Sequence, residues 1–371
     1  MKIVAALIGA MLLYEIQRIL YSRFWNKNLT VELKLSDDNA VEGDQLSLIE
    51  MITNQKLLPI PVLKIKYMTS KHLIFLDTRL SEATDHTYRN DLFSLMMYQK
   101  LTRSIPFLCT KRGYYTIDKI ILVCNDILLE SELVCETEAK VPLYVYPKPI
   151  EFDRLQVPFQ KMIGTILTKR LLYEDPFEFK SIREYQTYDT MKIINWKASA
   201  KTGLLMVNMH DHIASQQIKI LLNLESDTLR RYDDLTEEGI RLAATLATYF
   251  IGQGIPTALY TNGLDVISRE ILNAPAGSGN NHIRTINETL ARIDDILKPP
   301  SFVLALSEEL ECMNTNDYIL LISTYQRKDL QDKLNRLAHR SIDFTWIIPL
   351  NKEITITAGD ELLNHIIPWQ I

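Results

Sequence analysis

The chain has 371 residues, of which 47% are hydrophobic and 23% are charged, and its formal net charge is −5. This length allows two or three domains with separate cores, and the composition excludes a disordered chain or a coiled coil. The acidic balance argues against a nucleic-acid-binding protein, which would usually carry a basic stripe.

Glycine and cysteine are both sparse, which restricts the possible chemistry. Neither G-x-x-x-x-G-K-[ST] nor G-x-G-x-x-G occurs among the 12 glycines, so we expect no directly bound nucleotide. The four cysteines are Cys109, Cys124, Cys135 and Cys312. They form no C-x-x-C pair, which predicts buried free thiols in a reducing compartment rather than a zinc ribbon or a disulfide framework.

Residues 1–25 predict a helix that anchors the chain in a membrane. An apolar run from Ile3 to Tyr14 continues into further apolar turns with an aromatic and basic end. The apolar run and these turns together come close to the length of about 20 residues that a helix needs to span a bilayer. The following YEIQRIL offers no small-residue cleavage site, which disfavours a signal sequence; a signal sequence and a buried helix stay the alternatives.

Basic residues are unevenly distributed around this apolar run. Lys2 precedes it, whereas Arg18, Arg23 and Lys27 follow. The positive-inside rule therefore favours a single-pass protein of the cell membrane whose bulk lies in the cytoplasm.

Residues 28–147 show the period of two that is typical of strands. Alternation is clear in LTVELKL (29–35), QLSLIEMIT (45–53) and VLKIKYM (62–68), and further strands are predicted at SIPFLCT, GYYTIDKIILVC and VPLYVYP. Several short strands separated by turn residues predict an all-β sandwich. Nothing in this segment indicates catalysis.

Residues 217–371 alternate between apolar strands and amphipathic helices. IKILLNL (218–224) is a continuous apolar run, typical of a strand that is buried on both faces. Helices are predicted near Asp234–Gln253, His282–Leu297 and Lys328–His339. This alternation predicts an α/β domain with a Rossmann-type parallel sheet, in which ligands bind at the carboxyl ends of the strands. The loops after Leu224, Asn262 and Ser323 are therefore the positions to inspect.

Residues 148–216 link the two predicted domains and contain the stretch SIREYQTYDTMKIINWKASAK (181–201). Asp189 is predicted to cap a helix that ends at Gly203, with Met191 and Ile194 on its packed face. The stretch has neither His nor Cys, and Ser199 has no neighbouring base. We favour a structural clasp over a partner-binding surface, and both over a catalytic site.

The same stretch resembles the signature of domain-of-unknown-function family 58. The pattern F-x-x-x-R-E-Y-x-x-x-D-x-x-x-x-I-N-W-K-A-S-A-[KR] is carried by the following residues: Phe179, Arg183, Glu184, Tyr185, Asp189, Ile194, Asn195, Trp196, Lys197, Ala198, Ser199, Ala200 and Lys201. KRGYYTIDKIILVCNDIL (111–128) and VPLYVYPKPI resemble upstream segments of that family, so the resemblance covers most of the chain after Asn28. The chain departs from it at Tyr188, where the family has Gly, and at CNDIL, where the family has Asp-Pro-Phe-Gly-Leu.

This resemblance implies a bacterial, membrane-tethered protein with a β-sandwich followed by a von Willebrand A-like α/β domain. It further implies that the protein is not an enzyme and that it acts together with a MoxR-type AAA+ ATPase in assembly, maturation or envelope stress. On this hypothesis Arg183, Glu184, Asp189 and Trp196 hold the join between the two domains.

Von Willebrand A domains typically bind Mg²⁺ through D-x-S-x-S after the first strand, with further oxygen ligands from later loops. At the matching place stand Asn223, Glu225 and Asp227, while Ser323 and Thr324 stand where a later Asp is expected. We therefore expect a degenerate loop without a cofactor, with a Mg²⁺ site as the alternative. We also expect this strand-end loop to be the contact face for a protein partner.

Two other interpretations belong to different functional classes. An outward-facing envelope adhesion or binding protein would need the opposite membrane orientation. A hydrolase with a site at the strand ends lacks any nucleophile-elbow, zincin or paired-carboxylate signature. His210 and His212 share a strand face and could form half of a zinc site, but no third ligand has a telling spacing.

Overall fold

The computed structural model of the protein describes residues 2–77, 82–83, 86–173, 179–186, 191, 194–210, 217–227, 232–305 and 317–371. The chain forms two compact units. The sandwich unit comprises Met1–Lys148 and Leu290–Ile293, and the α/β unit comprises Pro149–Thr289 and Asp294–Ile371. Of the segment 148–216 that was predicted to link two domains, Lys148 ends the first part of the sandwich unit and the described residues from Pro149 onward group with the α/β unit.

Helix α1 (Lys2–Phe24) is long and apolar enough to cross a membrane. Its best 18-residue window has a mean hydropathy of 1.8, and none of that window is buried in the protein. The end of the helix behaves differently, because Tyr21 and the following Trp25 are buried in the core of the sandwich unit. The Tyr21 hydroxyl donates to the Pro59 carbonyl at 2.8 Å. The helix is thus fixed to the sandwich at its C-terminal end.

The rest of the sandwich unit consists of strands in two sheets, which confirms the predicted β-sandwich. The strand orders are β1-β3-β8-β5 and β2-β10-β9-β4-β7-β6, and of these neighbouring pairs, β2 with β10 is parallel. The strands are β1 (Leu29–Leu35), β2 (Asn39–Val41), β3 (Gln45–Asn54), β4 (Ile60–Ser70), β5 (Leu73–Phe75), β6 (Glu82–Ala83), β7 (His86–Leu95), β8 (Lys100–Cys109), β9 (Gly113–Asn125) and β10 (Glu132–Tyr146).

The core of the sandwich forms because alternate side chains of each strand point inward. In β3 every second residue from Leu46 to Asn54 is buried, as the period of two predicts. Side chains of both sheets, among them Ile52, Ile65 and Ile105, pack into one hydrophobic cluster. Cys109 and Cys124 are buried free thiols, as predicted, while Cys135 is half-buried and Cys312 lies outside the described residues. Burial raises the pKa of both buried thiols to about 11.

A buried charged network interrupts this apolar core. Arg89 and Asp91 of β7 form a two-point ion pair at 3.0 and 3.1 Å, and Arg103 of β8 contacts Asp91 at 2.9 Å. Glu50 of β3 is fully buried and accepts a hydrogen bond from the Tyr67 hydroxyl at 2.8 Å. Burial and the nearby Asp91 raise the pKa of Glu50 to about 7. The sandwich therefore contains a carboxyl group that changes charge near neutral pH.

The α/β unit is built on a six-stranded sheet with the order β15-β14-β13-β16-β17-β18. Its elements are α2 (Phe152–Tyr173), β11 (Phe179–Glu184), α3 (Trp196–Thr202), β12 (Met206–His210), β13 (Ile218–Leu222), α4 (Asp233–Gly252), β14 (Thr257–Leu264), β15 (Ile271–Gly277), α5 (Asn280–Ala291), α6 (Phe302–Ala305), β16 (Tyr318–Ile322), α7 (Lys328–His339), β17 (Asp343–Leu350), a 3-10 helix (Asp360–His365) and β18 (Ile366–Gln370).

Counted along the chain, the sheet has the strand order 3-2-1-4-5-6 that is common to doubly wound folds. The predicted α/β architecture is confirmed, but the sheet is mixed rather than purely parallel. β15 runs antiparallel to β14, since only a short turn joins the two strands and a parallel pair needs a long crossover.

Three helices differ from the prediction in instructive ways. α2 was not predicted, although Leu155, Phe159, Met162 and Ile166 are buried along one of its faces. α5 ends at Ala291 instead of Leu297, because Asp294 turns the chain and its Oδ1 accepts from Ile296 N. The helix predicted to begin after Asp189 begins only at Trp196.

Replacing Glu50 by glutamine tests the buried network. Between the ordinary value of 4.5 and the raised pKa of about 7, the folded protein holds a proton that the unfolded chain releases. Wild-type stability therefore falls as pH rises through this window. Gln stays neutral at every pH. We therefore expect the free energy of unfolding of Glu50→Gln to exceed that of the wild type by on the order of 2 kcal/mol at pH 8, and to be close to the wild-type value at pH 5.

Thermal unfolding at both pH values, assigned to the sandwich unit by hydrogen exchange of β3 and β4 peptides, measures this difference. Glu136→Gln, on the exposed part of β10, is the matched control and should leave the pH trend unchanged. Lower stability of Glu50→Gln at pH 8 would show that the two arginines stabilise a charged Glu50.

Candidate functional site

The signature stretch folds into a small two-stranded sheet with a helix inserted between its strands. β11 and β12 pair antiparallel, with Glu184 opposite Met206. Ile194 forms an isolated bridge with Val207, and Asn195 N donates to Met206 O at 2.8 Å. The chain just before the helix is thus tied to β12, the strand that follows the helix.

The cap of α3 corrects the predicted helix start. The Asn195 side chain accepts from Ala198 N at 2.9 Å, so Asn195 is the N-cap. Ile194, which was predicted to lie inside the helix, pairs with a strand instead, and Asp189 lies outside the described residues. The predicted end is confirmed, because Gly203 adopts φ +71° and donates to Ser199 O.

Ser199 has a structural role in this arrangement. Its Oγ donates to Asn195 O at 2.8 Å and accepts from Met206 N at 2.8 Å. The hydroxyl therefore ties the helix to β12, and neither contact involves a base that could activate a nucleophile. Through these contacts the Asn195 and Ser199 side chains hold α3 in place beside its own strand, while the clasp between domains stays a prediction.

Other members of the signature face solvent. Trp196 is 64% exposed, and Glu184 and Lys197 are also exposed. Arg183 is half-buried and donates to the carbonyl of Glu184 at 3.0 Å, while Tyr185 is half-buried and its backbone N donates to Leu205 O. We call the exposed side chains Trp196, Lys197, Leu204 and Leu205, on α3 and the turn after it, the signature surface. The predicted role of this stretch in joining two domains stays a prediction.

A second polar cluster lies at the carboxyl ends of β13, β14 and β16. Asn223 is buried and donates through Nδ2 to Ser323 Oγ at 3.0 Å. Its Oδ1 accepts from Glu225 N at 2.9 Å and from Asn262 Nδ2 at 3.1 Å. Asn262 in turn accepts from Leu224 N at 2.9 Å. Because β13 and β16 are neighbours whose connections leave in opposite directions, this cluster marks the topological switch point of the sheet.

The two carboxylates that follow Asn223 tie this point to distant loops. Glu225 Oε2 accepts from Phe302 N at 3.0 Å, and Asp227 Oδ2 accepts from Gln326 N at 2.6 Å. Arg327 donates to the Asp227 carbonyl at 2.9 Å and lies 3.3 Å from its Oδ1. The strand ends are thus joined by a hydrogen-bonded latch of Asn223, Glu225, Asp227, Asn262 and Ser323.

The residues of the latch bear directly on the Mg²⁺ alternative. Asn223, Glu225 and Asp227 supply the hard oxygens that Mg²⁺ prefers, but Asn223 Oδ1, Glu225 Oε2 and Asp227 Oδ2 already accept protein N–H groups. A cation at these three oxygens would compete with those donors. The depression here has about 10 Å³ of free volume, room for about one water molecule. Within the described ranges, no three His, Cys, Asp or Glu side chains are grouped for a metal.

Sequence reasoning located some of these residues and missed others. It pointed to the loops after Leu224, Asn262 and Ser323, all of which meet in the latch. It missed the backbone donors of Phe302 and Gln326, since an N–H group leaves no signal in residue type. His210 ends β12, while Asp211 and His212 lie outside the described residues.

Replacing Asn223 by alanine tests the latch. The change removes three hydrogen bonds and leaves the buried Ser323 and Asn262 with fewer partners, so we expect a loss on the order of 2 kcal/mol. Urea unfolding measures it, with Asn281→Ala on the exposed side of α5 as the matched control. An unchanged unfolding midpoint would contradict the latch.

Comparison with known proteins gives limited matches. The CARDB domain of a Pyrococcus furiosus protein is 14% identical over 31% of this chain and 89% of that chain, with a TM-score of 0.20. A non-cellulosomal cohesin from Archaeoglobus fulgidus is 10% identical over 30% of this chain and 91% of that chain, with a TM-score of 0.21. Domains D2 and D3 of the major pilin SpaD from Corynebacterium diphtheriae are 10% identical over 29% of this chain and 50% of that chain, with a TM-score of 0.22. The fold described above therefore rests on the strand pairing itself.

A search of curated proteins found no match. A family model, described as protein of unknown function DUF58, matches residues 181–347. The matched segment includes the signature helix α3 and the latch, and it ends within β17. The match supports a DUF58 family protein.

Proposed function

We propose that this chain is a membrane-anchored, non-enzymatic protein-interaction module that presents its two units on the cytoplasmic side to a MoxR-type AAA+ ATPase. The observation that carries the proposal is α1, whose apolar length is exposed while its end is buried in the sandwich. A helix of this kind has no hydrophobic core around it, and a bilayer supplies one.

The α/β unit is, on this proposal, a von Willebrand A-like domain whose ion site has been replaced by hydrogen bonds. The strand order with an antiparallel edge and the position of Asn223 at the switch point support it. Amide donors of Glu225, Phe302 and Gln326 occupy the oxygens to which a cation would bind. The unit would then bind its partner without a metal.

The non-enzymatic part of the proposal is supported by how the polar candidates are used. Ser199 ties α3 to β12, and Asn223, Glu225 and Asp227 tie strand ends together. None of these contacts pairs a nucleophile with a base.

The partner surface we propose is the signature surface rather than the strand-end loop. Trp196 is exposed beside Lys197, on a helix that is fixed by its Asn195 cap and by Ser199. Exposed tryptophan on a rigid element is typical of residues that dominate binding energy. The strand-end side chains, in contrast, form hydrogen bonds within the protein.

Substituting Leu12 by aspartate tests the anchor. A carboxylate at the centre of a spanning helix costs about 3 kcal/mol on insertion scales, so Leu12→Asp should shift the full-length protein from the membrane pellet to the soluble fraction after a carbonate wash. Leu12→Ala is the matched control and should stay in the pellet. Retention of both variants, or release of the wild type, would contradict a spanning α1.

Substituting Trp196 by alanine tests the partner surface. Purified full-length protein in nanodiscs should bind the MoxR-type ATPase of the same organism, and Trp196→Ala should weaken the Kd about tenfold or more. Ile296→Ala, which removes a side chain 88% exposed in the same unit, is the control and should bind like wild type. If Trp196→Ala binds as tightly as the wild type, the signature surface is not the binding surface. If the wild type does not bind, the ATPase is not the partner.

A further inference from the structure

Three turns of the sandwich unit expose large apolar side chains. They connect β3 to β4, β7 to β8 and β9 to β10. Their exposed apolar residues are more than half exposed and are, in chain order, Leu57, Met96, Met97, Tyr98, Ile127, Leu128 and Leu129. Turns usually carry small or polar residues, so a set of large apolar side chains at these positions calls for a physical reason.

The strand register places all three turns at one end of the sandwich. In one sheet Ile60 pairs with Leu95, and the nearby Val62 pairs with Asn125. In the other sheet Thr53 pairs with Lys100. Asn54, the last residue of β3, connects the first two turns, because its Nδ2 donates to Leu58 O at 3.0 Å and to Met96 O at 2.8 Å. We call the exposed apolar residues of these turns the apolar tips.

Helix α1 is attached at this same end. The Tyr21 hydroxyl donates to Pro59 O, next to the first turn, and the Tyr14 hydroxyl donates to Glu130 Oε2 at 2.7 Å, next to the third. Tyr14 and Tyr21 are two helical turns apart, which is about 10 Å along the axis. The second half of α1 therefore lies alongside the turns that carry the apolar tips.

This attachment lies where the apolar run of the helix ends. Leu7 and Met11 are exposed in the part before Tyr14, whereas the charged Glu15 and Arg18 follow it. A bilayer that contains the apolar part therefore has its surface close to Tyr14, because charged side chains favour the interface. Since Tyr14 and Tyr21 hold the second half of α1 against the turns, the apolar tips face that same bilayer surface.

The backbone of the tips shows that their apolar residues are held at a conformational cost. Tyr98 has φ +50° and Leu129 has φ +61°, in the left-handed region that favours Gly, Asn or Asp. Backbone hydrogen bonds hold both residues: Tyr98 N donates to Lys56 O at 3.2 Å, and Leu129 N donates to Asp126 O at 3.1 Å. Large apolar side chains are thus fixed where the local backbone would favour small or polar ones.

We propose that the apolar tips insert into the headgroup and upper acyl layer of the same phospholipid bilayer that α1 crosses. The sandwich then rests on the membrane instead of hanging from a single helix. Lys100, which is exposed and follows the second turn, suits contact with lipid phosphates, and the exposed Tyr98 suits the interface. This inference rests on the proposed membrane anchoring and adds a second membrane contact to it.

Photo-crosslinking to lipid tests the inference on the full-length chain. The photoreactive residue p-benzoylphenylalanine replaces Met97 or Leu128 in protein reconstituted into nanodiscs with alkyne-tagged phosphatidylcholine. Ile74 is the matched control, since it is 49% exposed and pairs with Leu108, at the opposite end of β8 from the tips. Leu7, within α1, reports on the anchor independently.

We expect lipid adducts at Leu7, Met97 and Leu128, with yields at the two tip positions about fivefold or more above that at Ile74. Adducts at Leu7 alone would overturn the tip contact and leave the anchor intact. Adducts at neither the helix nor the tips would overturn both. Adducts at the tips without Leu7 would support the tip contact and overturn the spanning helix.

Leu129→Asn separates membrane contact from fold stability. Asparagine tolerates the left-handed region better than leucine does, so the thermal unfolding midpoint should stay the same or rise. The adduct yield from position 128 should fall about threefold, because a neighbouring apolar side chain is lost. A purely structural role for Leu129 would give the opposite pair of results: a lower midpoint and an unchanged yield.

Discussion

The burial of the end of α1 in the sandwich core is the contact that determines the geometry of the anchor. Tyr21 and Trp25 lie among the core side chains, and the Tyr21 hydroxyl reaches Pro59. Burying two aromatic side chains contributes on the order of 4 kcal/mol, enough to keep the helix end in place. On the proposed anchoring, a helix fixed in this way cannot rotate freely like a flexible tether. The end of the sandwich that would face the membrane is therefore determined by the fold.

In the α/β unit, polar residues at the place where related folds bind ligands mainly hold the protein together. Asn223 links the ends of neighbouring strands, and Glu225 and Asp227 reach backbone donors at Phe302 and Gln326. Their hydrogen bonds join segments up to 100 residues apart. The signature residues Asn195 and Ser199 do the same on a smaller scale for α3. On α3 the contact with solvent is made by other side chains, such as the exposed Trp196.

Much of the fold was predictable from local pattern, because burial on one or both faces leaves a periodic signal. β13 and α7 were predicted nearly to the residue. α2 was missed although its buried positions follow a helical spacing, and Pro158 inside it weakened the signal. The start of α3 was misplaced because Asp189 and Asn195 are both good caps. The cap bond from Ala198 N to Asn195 and the pairing of Ile194 with Val207 show which residue begins the helix.

The candidate sites depended on information that no short stretch of sequence carries. The latch was located because ligand positions follow from strand order, but its backbone donors could not be anticipated. The period-two strand pattern does not single out the apolar tips, although ILL at 127–129 is an unusual turn composition. Their meaning depends on the strand register that brings three turns to one end, and on the hydrogen bonds of Tyr14 and Tyr21.

Neutron reflectometry of the full-length protein in a supported bilayer tests most directly whether the fold sets the position of the sandwich on the membrane. The account predicts protein density that begins within the headgroup layer and continues outward without a water-filled gap. A distinct water layer between the headgroups and the folded units would contradict it, because the sandwich would then hang from α1 without touching the bilayer.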